Sequence, residues 1–364
     1  RAPNSLAHRT TWLRSDLLDE PTASLNEQES QNLLELLEEF KHQGITSIII
    51  SHKLNEVTQI ADSITILRDG KTIQTLNNEN KDIDENIIVK GMVGRELTNR
   101  YPDRHPNIGD VLYEVKDWTV HHPTDKNEVV LDSINFNIRK GEIVGIAGLM
   151  GAGRTEFAMS MFGKSYGSNI TGSMHMHDKV ITANNVSEAI ENGLAYVSED
   201  RKDLGLDLLM TVKKNITLAN LKSAAKNGVI DFDKEVQVAE DYQSKMNIKT
   251  NSVETNVSNL SGGNQQKVVI SKWLYTEPEV LFLDEPTRGI DVGAKYEIYT
   301  IIEEMSQQGK AVCIISSELP ELLGMCDRNY TMNDGKMTGE VLRKDADQEI
   351  LMSKMTSLRG VNNE

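Results

Sequence analysis

The sequence predicts an α/β protein with a parallel-sheet core. The first observation is an internal repeat, because a constant offset places the run DEPT at 19–22 on DEPT at 284–287 without a gap. The second is a glycine-rich loop between an apolar run and a helical pattern, and the third is the run VLFLDE at 280–285. Apolar runs without alternation are typical of parallel strands covered by helices on both faces.

Both copies of the repeat predict the same order of elements. A helix follows the carboxylate pair, then come a β-branched strand (46–50 or 311–315), a short helix, and a final strand with a turn. Within this order Glu56 matches Glu321. The arrangement is typical of the closing third of a parallel α/β domain.

The repeat also divides the chain into domains. The match stops upstream of Leu17, so we expect 1–16 to be an unreliable or truncated start and 17–100 to be the C-terminal part of a first domain. Two prolines and a glycine predict an extended linker over 101–110, before a complete second domain over 111–364. Within that domain, alternation over 111–141 predicts an antiparallel β subdomain, and 186–256 predicts a helical subdomain.

Composition limits the classes of function. The 39 Lys and Arg residues against 55 Asp and Glu residues give a net charge of −16, so we expect no nucleic-acid partner, which would require a basic surface. Cys313 and Cys326 show no metal-ligand spacing and indicate a reducing compartment. No apolar run approaches the roughly 20 residues of a bilayer span, so any membrane association is expected to be peripheral.

The glycine-rich loop has the spacing of a phosphate-binding loop. It follows the strand-like run 143–147, precedes the helical run 156–162, and consists of Gly148, Leu149, Met150, Gly151, Ala152, Gly153, Arg154 and Thr155. Its backbone N–H groups and the helix N-terminus bind phosphate, and the Thr155 hydroxyl can ligate Mg²⁺. Arg154 replaces the usual Lys, which keeps the charge but changes a compact ammonium into a planar fork. A purely structural glycine turn is the alternative.

Two further segments suit a nucleotide. Asp284 and Glu285 provide a carboxylate to hold Mg²⁺ and another to orient or deprotonate an attacking water. A solvated acidic turn is the alternative, which the recurrence of the pair at Asp19 and Glu20 disfavours. The segment LSGGNQQK at 260–267, called the signature segment below, places a Ser and two Gly at a helix start, where anions bind.

With these motifs the chain resembles the tandem ATP-binding subunits of bacterial ABC importers for monosaccharides, from Leu17 to about its end. The resemblance is carried by GAGRTE at 151–156, SEDRK at 198–202, the signature segment, DEPTRGID at 284–291 and SSEL at 316–319. WTVHHP at 118–123 and EFAMS at 156–160 look most like multiple-sugar or xylose-type subunits.

The resemblance implies the P-loop NTPase fold of ABC type, with ATP and Mg²⁺ bound. It also implies membrane permease subunits and an extracytoplasmic sugar-binding protein as partners, and a peripheral position on the cytoplasmic face of the bacterial plasma membrane. By the same resemblance, Asp284 and Asp19 take the Mg²⁺ side and Glu285 and Glu20 the general-base position. Glu199 stands where most members have Gln, and Ser261, Gly262 and Gly263 contact ATP held by the other domain.

The two copies differ at one position that bears on catalysis. His52 and Ser317 are equivalent in the repeat, since each lies equally far along the chain from the aspartate of its own carboxylate pair. A histidine can hydrogen-bond the γ-phosphate and the attacking water, whereas a serine is too short. We therefore expect the second domain's own site to bind ATP but to hydrolyse it weakly. The competent site would use Asp19, Glu20 and His52 with the signature segment.

Trp118 is the candidate for stacking on adenine, because it is an aromatic residue at a suitable distance upstream of the phosphate loop. His121 is the next candidate, and a packed strand Trp is the alternative. Two rival functions remain: a soluble tandem ABC ATPase in translation or DNA repair, and a nucleotide-binding fragment without turnover. The first rival predicts a basic linker and a histidine in both sites, which this sequence does not have.

Overall fold

The computed structural model describes residues 15–22, 25, 27–51, 53–68, 70–93 and 100–357. Two compact units are present, the first within Arg1–Thr98 and Asp291–Gly293 and the second within Asn99–Ile290 and Ala294–Glu364. Within the described ranges, no helix has both the length and the apolar character needed to cross a membrane.

The first unit alternates strands and helices. Its described elements are β1 Ser15–Asp19, α1 Glu27–His42, β2 Thr46–Ile50, α2 Leu54–Ile60, β3 Ser63–Arg68, β4 Lys71–Asn77 and α3 Glu85–Val93. β1 pairs with β2 in parallel, as the apolar runs predict, and it begins at Ser15, just before the match with the second copy. β3 and β4 form an antiparallel hairpin. The sequence indicated only one strand here because nearly all side chains of β4 are exposed and lack an apolar alternation.

The strands of the second unit form a large mixed sheet, an antiparallel sheet and a short hairpin. They are β5 Val111–His121, β6 Val129–Arg139, β7 Ile143–Gly148, β8 Ser168–Met176, β9 Lys179–Ile181, β10 Leu194–Val197, β11 Ala225–Lys226, β12 Val229–Ile230, β13 Val280–Asp284, β14 Ala311–Ser316, β15 Arg328–Asn333 and β16 Lys336–Leu342. The helices that accompany them are α4 Arg154–Met161, α5 Val186–Glu191, α6 Val212–Thr217, α7 Phe232–Lys245, α8 Gly262–Leu274, α9 Val292–Gln307, α10 Leu319–Met325 and α11 Gln348–Thr356.

The large sheet positions the site. Its order is β10-β13-β14-β7-β15-β16, and all pairs except β15–β16 are parallel. β7, β13 and β14 are buried along their whole length, which explains their continuous apolar runs. Because parallel strands end at the same edge of a sheet, the segments that follow β7, β10, β13 and β14 lie on one side of the unit.

The two predicted subdomains are present. β5, β6, β8 and β9 make the antiparallel sheet in the order β6-β5-β8-β9. The region 186–256 is mainly helical but contains β10, the edge strand of the large sheet. The sequence did not separate this strand from its helical surroundings because its apolar run is very short.

The repeat extends to the hydrogen bonds. β1, β2, β3 and β4 begin at the positions that the repeat aligns with the first residues of β13, β14, β15 and β16. The Thr22 hydroxyl donates to Glu56 at 2.6 Å, and the Thr287 hydroxyl donates to Glu321 at 2.7 Å. The two copies therefore build the same turn after their carboxylate pairs.

The segment 101–110 has no helix or strand, yet Arg104 fastens it to the second unit. The guanidinium binds both carboxylate oxygens of Asp327, at 3.0 and 2.6 Å, and Glu303 at 2.9 Å. It also donates to the carbonyl of Gly141 at 3.0 Å, and all three charged side chains are at most 8% exposed. This part of the chain is thus bound to the second unit rather than only joining two domains.

Candidate functional site

The phosphate loop joins the end of β7 to the start of α4. Gly153 has φ +96°, and a Cβ there would lie 2.9 Å from the Leu131 side chain, so only glycine fits without strain. No side-chain hydrogen bond caps α4, which leaves N–H groups of its first turn available to an anion. Leu149, Met150 and Gly151 form the exposed tip of the loop.

Arg154 faces the predicted general base. Its Nη1 lies 3.6 Å from Glu285 Oε1, and both side chains are largely buried. Burial raises the pKa of Glu285 to about 7, and the positive charge of Arg154 acts in the opposite direction. Arg154 Nη1 has no hydrogen-bond partner among the described residues, so it is free to bind an acceptor oxygen.

Ser317 also meets Glu285, because β13 and β14 are neighbours. The backbone N–H of Ser317 donates to Glu285 Oε1 at 2.7 Å. The carboxylate thus accepts a backbone hydrogen bond and faces a guanidinium, and the side chain at the histidine position is a serine. His52, the counterpart in the first copy, lies outside the described residues.

Asp284 ends β13 and is 1% exposed. The hydroxyl of Tyr196 donates to its Oδ2 at 3.0 Å, a contact that the sequence did not indicate because β10 had not been recognised as the neighbour of β13. Burial raises the pKa of Asp284, while hydrogen bonds from Thr155 and Tyr196 lower it.

The surroundings of Asp284 fit a divalent cation. Its Oδ1 is buried without a hydrogen-bond partner among the described residues, an arrangement that costs free energy unless a ligand satisfies it. Asp284 and Thr155 supply the hard oxygen ligands that Mg²⁺ prefers. The described residues contain no cluster of three or more His, Cys, Asp or Glu suited to a metal, so water and nucleotide oxygens would complete the coordination.

Glu199 is bound to Arg288, which lies shortly after Asp284 in the chain. The two side chains form an ion pair between the segments that follow β10 and β13. Sequence reasoning missed Arg288, since the charge of the residue opposite Glu199 becomes visible only when the strand order is known. The Glu199 carboxylate therefore has a matching cation.

The signature segment begins α8 with its serine exposed. The Ser261 hydroxyl does not cap its own helix, and it accepts a hydrogen bond from Asn264 Nδ2 at 2.9 Å. Gly262 follows it at the first position of α8. A Cβ at Gly263 would lie 2.5 Å from Ala294 Cβ, so this position requires glycine. Lys267 is buried and binds Glu297 at 2.5 Å, which anchors the helix.

The carboxylate pair of the first unit has the same backbone geometry. Glu20 and Glu285 both have φ +46°, and their N–H groups donate to Ile50 and Ile315, respectively, each at 2.8 Å. Asp19 is exposed, whereas Asp284 is buried.

The prediction that Trp118 stacks on adenine is wrong in this structure. The side chain is 3% exposed, packs in the core of the second unit, and donates from Nε1 to Ser160 Oγ at 3.0 Å. Its indole has no face available to a base. His121, the next candidate, is partly exposed at the end of the same strand.

Glu285 should make stability depend on pH. The folded chain keeps the proton up to about pH 7, whereas the ordinary pKa is 4.5, so stability falls as pH rises between these values. Glu285→Gln should therefore raise the free energy of unfolding by about 2 kcal/mol at pH 8 and by little at pH 5. Urea denaturation at both pH values measures this. The exposed Glu349→Gln should show no such difference, and an equal gain at both pH values would contradict the assignment.

Comparisons with known proteins identify the family of the chain. Residues 131–288 match the ABC transporter family. The chain is 59% identical over 340 residues to the L-arabinose transport ATP-binding protein AraG of Geobacillus stearothermophilus, covering 93% of this chain and 66% of that protein. It is 51% identical over 336 residues to the xylose import ATP-binding protein XylG of Thermoanaerobacter pseudethanolicus, covering 92% and 66%.

A third relative is the ribose import ATP-binding protein RbsA of Bacillus subtilis, 45% identical over 343 residues and covering 94% of this chain and 67% of that protein. The chain thus spans about two thirds of the length of these curated relatives. Among solved structures, a nucleotide-free ATP-binding cassette from an ABC transporter matches with TM-score 0.55 and 19% identity, over 66% of this chain and 94% of that one. This likeness supports the P-loop fold of ABC type, and the relatives establish that the chain belongs to the ATP-binding proteins of ABC transporters.

Proposed function

We propose that the chain is an ATP-binding and ATP-hydrolysing subunit that energises monosaccharide import through an ABC transporter. The meeting of the phosphate loop with Asp284 and Glu285 at one edge of the sheet carries the proposal for ATP. The names of relatives that serve L-arabinose, xylose and ribose support the sugar class. The partners would be membrane permease subunits and an extracytoplasmic sugar-binding protein, with the chain peripheral on the cytoplasmic face of a bacterial plasma membrane.

Each residue of the second site has a distinct task. The N–H groups of Gly151, Gly153 and the first turn of α4 hold the phosphates, and Arg154 Nη1 donates to a terminal phosphate oxygen. Asp284 and Thr155 would hold Mg²⁺, which neutralises phosphate charge when bound. Glu285 orients or accepts the proton of the attacking water.

The second site is proposed to bind ATP and to hydrolyse it weakly. Arg154 Nη1 lies 3.6 Å from Glu285 Oε1, and its positive charge opposes the burial that raises the pKa of this carboxyl to about 7. Ser317 offers no imidazole to hold the γ-phosphate and water. The supporting imidazole is thus missing at this site, which favours ATP as a bound ligand over rapid turnover.

The competent site is proposed to use Asp19, Glu20 and His52. In this scheme hydrolysis there releases the contacts made by the γ-phosphate. The similar backbone geometry of Glu20 and Glu285 supports the assignment.

Sugar uptake in the host cell tests the proposal. With the gene deleted and returned in variant form, Glu20→Gln should lower uptake of labelled L-arabinose, D-xylose or D-ribose about a hundredfold or more, because a general base contributes about 10²–10⁴ in rate. Glu285→Gln should retain most of the uptake. The exposed Glu79→Gln is the matched control.

Either of two results contradicts the proposal. Uptake of all three sugars that is unchanged by Glu20→Gln would remove sugar import as the function. Uptake lost equally in Glu20→Gln and Glu285→Gln would remove the difference between the two sites.

A further inference from the structure

Arg201 lies where three loops of the second unit meet. Its Nη1 donates to the carbonyl of Arg288 at 2.8 Å, and its Nη2 lies 3.4 Å from the carbonyl of Gly289. A Cβ on Gly262, the first residue of α8, would lie 2.9 Å from Nη2. One guanidinium therefore contacts the segment after Glu285 and the start of the signature helix, while its own backbone belongs to the segment after Glu199.

A short helical turn holds this guanidinium in place. The turn Arg201–Gly205 begins at Asp200, whose carboxylate accepts from the N–H groups of Lys202 and Asp203. At its other end the carbonyl of Gly205 accepts from Lys272 Nζ on α8 at 2.6 Å. The turn is thus fixed to α8 at Gly205 and to the 288–289 backbone through Arg201.

The position of Arg201 is not explained by stability. Burial lowers the pKa of the guanidinium, and its Nε is buried with no hydrogen-bond partner in the described part of the chain. It also faces the N-terminal end of α8, where the helix dipole disfavours a cation. A partly buried cation that binds carbonyls instead of a carboxylate, with a buried Nε left unpaired, costs free energy, so a role in function accounts better for its presence.

We infer that Arg201 is a positioning residue that links nucleotide binding at the second unit's site to the signature segment. The bond to the 288–289 carbonyls transmits a shift of the backbone after Glu285 to the start of α8. The Glu199–Arg288 ion pair ties the same two loops a second time. The inference rests on the proposed function, because it requires ATP at this site.

Hydrogen–deuterium exchange on the purified chain tests the link. In the wild type, Mg-ATP should slow exchange of the 260–266 amides about fivefold or more, and ADP should have a smaller effect. In Arg201→Gln, at least half of this slowing of exchange should be lost on a logarithmic scale. The ATP affinity of this variant, measured by calorimetry on the same samples, should change less than about threefold. Lys202→Gln, which removes a neighbouring charge, should respond as the wild type does.

The outcomes separate the inference from the proposed function. A full response in Arg201→Gln, or no response in a wild type that binds ATP, overturns the link alone. Failure of the wild type to bind ATP overturns both. If Arg201→Gln does not unfold cooperatively, Arg201→Met takes its place, because an unbranched apolar side chain donates to neither carbonyl and should show the same loss.

Discussion

Arg154→Ala should weaken ATP binding to the second unit about a hundredfold. Arg154 is the first residue of α4, is largely buried, and has an Nη1 without a hydrogen-bond partner among the described residues. A charge-assisted hydrogen bond to phosphate contributes about 1.5–3 kcal/mol. Its loss also leaves Glu285 facing the phosphates without a neutralising cation, so the total approaches about 3 kcal/mol.

Isothermal titration with Mg-ATP measures this change. The matched control is Lys179→Ala, which removes one positive charge from an exposed strand position and should leave the affinity unchanged. An affinity of Arg154→Ala within about threefold of the wild type would show that the guanidinium does not bind phosphate.

Arg104→Ala should cost about 3–5 kcal/mol in the free energy of unfolding of the second unit. The substitution leaves Asp327 and Glu303 buried without their cation, and burial of an unpaired carboxylate is strongly unfavourable. Urea denaturation followed by tryptophan fluorescence measures the loss, since Trp118 and Trp273 both lie in the second unit.

Arg139→Ala is the control for this substitution, because Arg139 is exposed at the end of β6. Arg104→Lys should give an intermediate loss, as an ammonium keeps the charge but not the paired contact with Asp327. A loss below about 1 kcal/mol for Arg104→Ala would mean that the 101–110 segment is held by other contacts.

The sequence predicted well those features that depend on local pattern. The repeat predicted the order of elements from β13 to β15 in a parallel α/β domain, and the glycine spacing predicted the turn between β7 and α4. These signals are local because a buried strand is visible as an apolar run, and a turn with positive φ is visible as a glycine, within a few adjacent residues.

Contacts between neighbouring strands could not be predicted in the same way. The partners Tyr196 and Arg288 depend on β10 lying beside β13, and so short an edge strand gives too little pattern to show it. The prediction that Trp118 stacks on adenine was wrong for a related reason. The spacing from the phosphate loop gives the distance of Trp118 along the chain but not which face of β5 its side chain occupies. The ion pairs of Arg104 could not be predicted because its partners, Glu303 and Asp327, lie 199 and 223 residues later in the sequence.

The central claim is that the second site binds ATP and turns it over slowly, and steady-state phosphate release by the purified chain with bound Mg-ATP tests it most directly. We expect measurable binding, with turnover within about tenfold of that of Glu285→Gln. Turnover of about 1 s⁻¹ or faster that Glu285→Gln abolishes would contradict the claim, because Arg154 and Ser317 would then leave the general base fully active.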